Sequence, residues 1–197
     1  IAVLVSGGGT NLQALLDSEA RGENPNGKIK LVVASKPGVY ALERAAKAGV
    51  EGVVVRRKDY AASEDFDAAL LAVLKEHDID LVVLAGFLSI LGPSVITAYS
   101  ERILNVHPSL IPSFCGAGYY GLRVHEAALN YGVKVTGATV HFVNEIPDGG
   151  KIIMQKAVYI EENDTPETLQ RRVMENAEWE LLPKSAEIVC ESIKENR

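Results

Sequence analysis

The stretch Ile1-Ala2-Val3-Leu4-Val5-Ser6-Gly7-Gly8-Gly9-Thr10-Asn11-Leu12-Gln13 joins a short apolar run to three glycines and then to a helical pattern. The apolar run, residues 1–6, predicts a buried β-strand. Thr10 and Gln13 have the spacing of a capping box, which predicts that a helix begins here and continues over residues 11–20. A strand, a glycine-rich loop and a helix in this order form the first unit of an α/β sheet.

The same alternation of apolar runs and helical patterns continues through the first two thirds of the chain. Further strands are predicted over residues 29–35, 52–55, 81–85 and 103–106. Helical spacing of apolar residues predicts helices over 41–48, 63–77, 93–100 and 122–130. This order is typical of an α/β fold with a mostly parallel sheet.

The last third of the sequence has a different pattern. Residues 134–144 and 151–161 predict two strands joined by a turn at 146–150, and therefore an antiparallel pair at the edge of the sheet. Thr165 and Pro166 occupy the N-cap and first position of a final helix. Pro183 is expected to kink or split that helix.

Composition and charge limit the class of protein. With 197 residues, 47% hydrophobic and 23% charged, the chain suits a single soluble domain spanning residues 1–197. The net charge of −6 argues against binding of nucleic acid, and it requires that any anionic substrate be met by local positive charge. We expect a monomer or a homodimer.

Cellular location is predicted from the cysteines and the apolar runs. Only two cysteines are present, which favours a reducing compartment over a disulfide framework. The longest apolar run, residues 81–92, is shorter than the roughly 20 residues that a bilayer requires. Neither a secretion signal nor a membrane partner is expected, and the prediction is a cytoplasmic protein.

The glycine-rich loop, residues 6–9, predicts an anion site. Free N–H groups at the start of a helix favour an anion, and glycines let the backbone approach it closely. The loop lacks the Lys-Ser/Thr ending of a P-loop and the third glycine of a dinucleotide fingerprint. A single phosphate is therefore the favoured ligand, although a tight turn without a ligand stays possible.

The stretch Asn105-Val106-His107-Pro108-Ser109-Leu110-Ile111-Pro112 follows the fifth strand, at the sheet edge where ligands of α/β proteins bind. Asn105 and His107 are two residues apart, so their side chains share a face of the strand. An amide beside an imidazole suits the stabilisation of an oxyanion together with proton transfer. Taken alone, an Asn-x-His pair more often caps a loop.

His141 lies in a predicted strand, and Asp148 lies in the turn that follows it. A carboxylate near His107 would favour the imidazolium. Asp-Gly-Gly is also a common turn sequence, and a strand histidine is often structural. His77 and His125 are interpreted as surface or structural residues, and no residues have the spacing of metal ligands, so no metal site is predicted.

Three motifs together resemble those of the folate-dependent formyltransferase family: Asn-x-His-Pro-Ser-Leu-Ile-Pro at 105–112, Gly-Ala-Thr-Val-His-Phe-Val at 137–143, and Asp-Gly-Gly at 148–150. The resemblance covers residues 1–183. It implies a three-layer α/β/α, Rossmann-like fold, in which a mostly parallel seven-stranded sheet contains one late antiparallel strand. It also implies that 10-formyltetrahydrofolate is the co-substrate. With Ser-Gly-Gly-Gly-Thr-Asn-Leu-Gln at the start, the expected acceptor is the small molecule glycinamide ribonucleotide, in purine synthesis.

The resemblance also implies roles for individual residues. The catalytic residues would be Asn105, His107 and Asp148, with His141 in support. The acceptor's phosphate would be bound by Gly9, Thr10 and Asn11, and its ribose by Glu178, which could otherwise be an exposed helix carboxylate. The folate would be bound by Leu88, Ser89, Ile90, Leu91, Glu145, Ile146 and Pro147. Ser89 stands where some relatives carry arginine, and Lys151 stands where proline is usual.

Other interpretations stay open. Methionyl-tRNA formyltransferase and formyltetrahydrofolate hydrolase belong to the same family, although the tRNA enzyme needs a basic surface and this chain is acidic. A non-catalytic nucleotide-binding domain would explain the glycine-rich loop, but it would leave the Asn-His-Asp set without a purpose.

Overall fold

The computed structural model describes residues 1–196, which fold around one seven-stranded sheet. Its strands are β1 (Ala2–Val5), β2 (Leu31–Ala34), β3 (Glu51–Val54), β4 (Val82–Leu84), β5 (Ile103–His107), β6 (Val135–Phe142) and β7 (Ile152–Tyr159). They lie in the order β3-β2-β1-β4-β5-β6-β7. The first five strands are parallel, and β6 is antiparallel to both β5 and β7. The predicted mostly parallel sheet with an antiparallel pair at its edge is confirmed.

Seven α-helices within residues 1–196 cover the sheet. They are α1 (Thr10–Ala20), α2 (Tyr40–Lys47), α3 (Ser63–Glu76), α4 (Pro93–Ala98), α5 (Leu122–Tyr131), α6 (Pro166–Val173) and α7 (Trp179–Glu195). Residues of α1, α2, α6 and α7 belong to one buried apolar cluster, and residues of α3 and α4 belong to another. Within β1, Val3 and Val5 join the first cluster while Ala2 and Leu4 join the second. Both faces of the strand are buried, which explains its continuous apolar run.

The start of α1 differs from the prediction. The helix begins at Thr10 as expected, but its N-cap is Gly9, in the left-handed conformation with φ 73°, and no side chain caps it. The Gln13 side chain donates to Asp17 and accepts a hydrogen bond from Arg44 instead. The predicted capping box is therefore wrong, because the Gln13 side chain is already bound to its neighbours on α1 and α2.

The final helical region is divided N-terminal to Pro183. A π turn, Met174–Glu178, separates α6 from α7, and Pro183 is buried inside α7. The predicted N-cap is confirmed, since Thr165 Oγ1 accepts a hydrogen bond from the N–H of Thr168. π turns are rare and occur mostly at functional sites, and this one ends at a predicted ligand-binding residue. None of the described helices combines the length and apolarity needed to cross a membrane.

Candidate active site

The pairing of β5 with β6 brings three of the predicted catalytic side chains together. Asn105 lies opposite His141, and His107 lies opposite Thr139. Side chains at such directly opposed positions share a face of the sheet. Asn105 Nδ2 lies 3.1 Å from Nε2 of His141, whose Nδ1 lies 2.8 Å from the Phe142 carbonyl. An Nδ1–H donated to that carbonyl leaves Nε2 free to accept from the Asn105 amide.

Asp148 completes this group from the turn after β6. Its Oδ1 lies 3.5 Å from His141 Nε2 and accepts from Asn105 Nδ2 at 3.4 Å. Its Oδ2 lies 3.5 Å from Nδ1 of His107. The turn places Asp148 in the left-handed region with φ 55°, which Asp tolerates better than most residues. The structure thus gathers all four predicted catalytic residues into one cluster.

Two main-chain groups of the loop after β5 hold the cluster, and sequence reasoning missed both. The Phe114 carbonyl lies 2.8 Å from Nε2 of His107, and the Gly116 N–H donates to Asp148 Oδ2 at 2.8 Å. Phe114 and Gly116 both have positive φ. Backbone donors and acceptors carry no side-chain signature. The one signal was the three glycines at 116, 118 and 121, which permit unusual backbone conformations.

Burial dominates the ionisation of His107, which is 4% exposed. It lowers the pKa of His107, although the Phe114 carbonyl and the Asp148 carboxylate both act to raise it. For Asp148, burial raises the pKa, but the nearby His141 ring, the hydrogen bond from the Gly116 N–H and the positive charge of the histidines when they are protonated lower it overall. The Asp148 carboxylate favours the imidazolium of His107, as expected, but desolvation of the ring outweighs this effect.

His125 and His77 contrast with this pair. His125 is fully buried in α5, and neither of its ring nitrogens has a hydrogen-bond partner within residues 1–196. Burial and the charge of His107 lower its pKa to about 4. Of the two alternatives for His125, surface or structural, its burial supports the structural one. His77 is half-buried and pairs with Glu51 on the surface.

Near the glycine-rich loop, a predicted phosphate ligand contacts the predicted ribose ligand. Asn11 Nδ2 donates to Glu178 Oε2 at 2.7 Å. Glu178 is 6% exposed, and burial raises its pKa to about 7 although the Asn11 hydrogen bond opposes this. The alternative of an exposed helix carboxylate is therefore wrong. Glu178 ends the π turn, and Thr10 Oγ1 contacts Met174 Sδ at the start of that turn.

The three glycines of the loop have different surroundings. A Cβ on Gly9 would lie 2.7 Å from Cβ of Ala41 on α2, so packing and its positive φ require glycine there. A Cβ on Gly7 or Gly8 would meet no atom within 4 Å. The open side of the loop is thus at Gly7 and Gly8, and Gly9 faces the protein.

The predicted folate-binding segments present apolar side chains to solvent. Leu88 is 67% exposed, Ile90 86% and Ile146 66%, whereas Leu91 is buried. Ser89 is half-buried, and Glu145 and Pro147 are exposed. The Leu88 N–H donates to Ser6 Oγ at 2.9 Å, which connects the first segment to the glycine-rich loop. Large exposed apolar side chains of this kind are candidates for contact with a ligand.

Lys151 continues the pairing of β6 with β7. Its carbonyl accepts from the Phe142 N–H at 2.9 Å. A Cβ on the preceding Gly150 would lie 1.7 Å from the Phe142 carbonyl oxygen, so close pairing requires that glycine. Within residues 1–196, no three or more His, Cys, Asp or Glu side chains are grouped so as to hold a metal ion.

Comparison with known proteins defines the class. The chain belongs to the formyl transferase family, whose sequence model matches residues 1–185. It is 44% identical over 190 residues to the human trifunctional purine biosynthetic protein adenosine-3, which covers 96% of the chain but only 18% of that relative's length. It is 39% identical over 183 residues to the phosphoribosylglycinamide formyltransferase of Haemophilus influenzae, over 93% of the chain and 83% of the relative.

Solved structures agree in fold. Glycinamide ribonucleotide transformylase 1 from Symbiobacterium toebii is 42% identical with a TM-score of 0.91, over 97% of this chain and 87% of that one. The expected Rossmann-like formyltransferase fold is confirmed.

Proposed function

We propose that this chain transfers the formyl group of 10-formyltetrahydrofolate to the amine of glycinamide ribonucleotide. The observation that carries the proposal is the cluster of Asn105, His107, His141 and Asp148, held by main-chain groups at Phe114 and Gly116. The family and the names of the relatives at 39% and 42% identity support it. A non-catalytic nucleotide-binding domain would have no use for four interacting polar side chains in one half-buried cluster.

The acceptor is proposed to bind between the glycine-rich loop and the π turn. Its phosphate lies against the free N–H groups at the start of α1, where the helix dipole favours an anion. Its ribose hydroxyls reach the buried pair of Asn11 and Glu178. Glu178, with its pKa near 7, can accept or donate a hydrogen bond.

The folate is proposed to bind along the exposed apolar side chains of Leu88, Ile90 and Ile146. In this proposal the side chains cover the folate ring, and main-chain groups around residues 88–91 and 145–147 form hydrogen bonds with its polar edge. In this arrangement the formyl group reaches the cluster from one side and the acceptor amine from the other. No covalent enzyme intermediate is required.

The chemical step is direct attack. The amine nitrogen bonds to the formyl carbon, and the carbonyl electron pair moves to oxygen to give a tetrahedral intermediate. The Asn105 amide stabilises that oxygen, for which it must release Asp148, its longer contact at 3.4 Å. His107 joins it as a donor once it has taken up a proton. Collapse breaks the bond to the folate nitrogen, which receives the proton that the amine loses.

Burial keeps His107 mainly neutral before reaction, so it can take up the amine proton, directly or through water. Asp148 then stabilises the imidazolium that forms 3.5 Å away. The Asp148 carboxylate therefore stabilises the charge that develops on His107 during the reaction more than it stabilises the ground state. Only such a difference lowers the activation barrier.

A formyl-transfer assay on the purified chain tests the proposal. We expect formylated glycinamide ribonucleotide to accumulate in step with free tetrahydrofolate. Methionyl-tRNA, tested in parallel, should not be formylated. Formate release without an acceptor would indicate the hydrolase reaction instead, and nucleotide binding without any turnover would indicate a binding domain.

A further inference from the structure

Two consecutive carbonyls of the glycine-rich loop are held by helix α2. The Gly7 carbonyl accepts from the Ala41 N–H at 3.3 Å, and the Gly8 carbonyl accepts from Nε of Arg44 at 2.8 Å. The same guanidinium donates through Nη1 to Gln13 Oε1 at 2.8 Å. Arg44 thus joins the loop, α1 and α2, while its Cζ lies 4.8 Å from the centre of the Tyr40 ring.

These contacts fix the direction of the loop's N–H groups. In a trans peptide the C=O and the following N–H point in opposite directions. Since the Gly7 and Gly8 carbonyls face α2, the N–H groups of Gly8 and Gly9 face away from it. Neither has an acceptor within the described residues 1–196. Such successive free N–H groups form an anion-binding concavity.

The surroundings agree with this orientation. Gly7 and Gly8 are exposed and face open space, whereas Gly9 packs on Ala41. A phosphate can therefore approach on the side opposite α2 without contacting Arg44 at all. The arginine would act through the loop, by holding one peptide plane.

We infer that Arg44 is a positioning residue for the phosphate of the acceptor, an inference that rests on the function proposed above. By holding the Gly8 carbonyl, Arg44 turns the Gly9 N–H toward the phosphate. It also places one positive charge next to the loop of an acidic chain. Loss of the side chain lets the peptide rotate, and the N–H is no longer directed at the anion.

Lys47 provides a matched control. It lies on the same helix and its Nζ lies 5.3 Å from the centre of the same Tyr40 ring, but within residues 1–196 its one hydrogen bond is donated to the Tyr40 hydroxyl. Arg44→Met and Lys47→Met remove the same charge from neighbouring turns of α2. Only the first removes a contact with the loop. Arg44→Lys keeps the charge but lacks the planar fork that donates to Gly8 from Nε and to Gln13 from Nη1.

The experiment compares glycinamide ribonucleotide with glycinamide riboside, which lacks the phosphate, in steady-state assays of the three variants. For Arg44→Met we expect the KM for the ribonucleotide to rise by about tenfold or more. This is the effect of losing one charge-assisted hydrogen bond, here the bond from the Gly9 N–H to the phosphate. The KM for the folate and kcat/KM for the riboside should change less than about twofold, a shift within ordinary variation between surface variants. Lys47→Met should resemble wild type, and Arg44→Lys should lie in between.

The inference is overturned if Lys47→Met and Arg44→Met raise the ribonucleotide KM equally, since charge alone would then explain the effect. An unchanged KM in Arg44→Met, or equal losses on both acceptors, would also overturn it. If wild type formylates neither acceptor, the proposed function fails, but the inference can still be tested. Backbone amide resonances of Gly8 and Gly9 should then shift with inorganic phosphate in wild type and Lys47→Met, and much less in Arg44→Met. Equal shifts in all three would contradict the role of Arg44.

Discussion

The carboxylate of Asp148 lies 3.5 Å from Nδ1 of His107, although the two residues are 41 positions apart and neither has an exposed ring or carboxyl group. The Gly116 N–H holds the carboxylate, and the Phe114 carbonyl holds the opposite nitrogen of the imidazole. Both partners are therefore fixed before a substrate arrives. Such preorganisation lets a charge pair act on a transition state without a reorganisation cost.

Substitutions in the glycine-rich loop should separate ligand approach from folding. Gly8→Val places a side chain in open space, so the melting temperature should stay near normal while the KM for the ribonucleotide rises. Gly9→Ala, the control, introduces a Cβ 2.7 Å from Ala41 at φ 73° and should lower the melting temperature. Thermal melts and KM values of both variants check this. Equal destabilisation by both would contradict the assignment of the open side.

Glu178→Gln should weaken binding of the ribonucleotide yet stabilise the protein in mild alkali. The folded-state pKa of Glu178 is raised to about 7. The neutral carboxyl group therefore stabilises the folded protein at pH values below the unfolded-state pKa, and this stabilisation is lost as pH rises through 7. Gln does not ionise, so it avoids this loss of stability, and it can still accept a hydrogen bond from Asn11. We expect the variant to be more stable than wild type at pH 8 and similar at pH 4.5, with little change in folate KM. Denaturant unfolding at both pH values measures it, and a variant less stable at pH 8 would contradict it.

His125 should make the protein sensitive to acid. Its pKa is about 4 in the folded protein and ordinary when unfolded, so its neutral form stabilises the fold above about pH 6.5 and this contribution is lost as pH falls toward 4. The loss amounts to at most about 3 kcal/mol. His125→Leu should flatten stability between pH 6.5 and 4 while leaving other titrations in place. An unchanged slope in unfolding experiments across this range would show that His125 is not the group responsible.

The sheet could be predicted because its strands carry continuous apolar runs and its helices carry regular spacing, signals that local sequence contains. The capping box at Thr10 and Gln13 failed because Arg44, 31 residues after Gln13, binds that side chain. The break before Pro183 was misplaced, since no proline or glycine marks the π turn at Met174–Glu178. The site residues could be predicted from sequence motifs. Phe114 and Gly116 could not, because they act through main-chain groups that every residue type carries.

The ionisation of His107 was the other feature that the sequence could not supply. The sequence motifs predicted a carboxylate near His107, and the structure places Asp148 next to its ring. Whether the imidazole is charged depends on the balance between that carboxylate and burial, and the burial of His107 follows from the packing of the loop after β5. Balances of this kind require three-dimensional coordinates.

The central claim is that Asp148 acts on catalysis through its charge. Asp148→Asn keeps the size, the tolerance of φ 55° and an acceptor for the Gly116 N–H; it removes the charge and replaces the oxygen that accepts from Asn105 with an amide nitrogen. We predict that kcat falls by about 10² or more, with both KM values and the melting temperature near normal. The measurement is kcat, both KM values and the melting temperature of this single variant. A variant that keeps more than about a third of wild-type kcat, and instead loses stability, would contradict the account, because removal of a catalytic charge should leave far less activity.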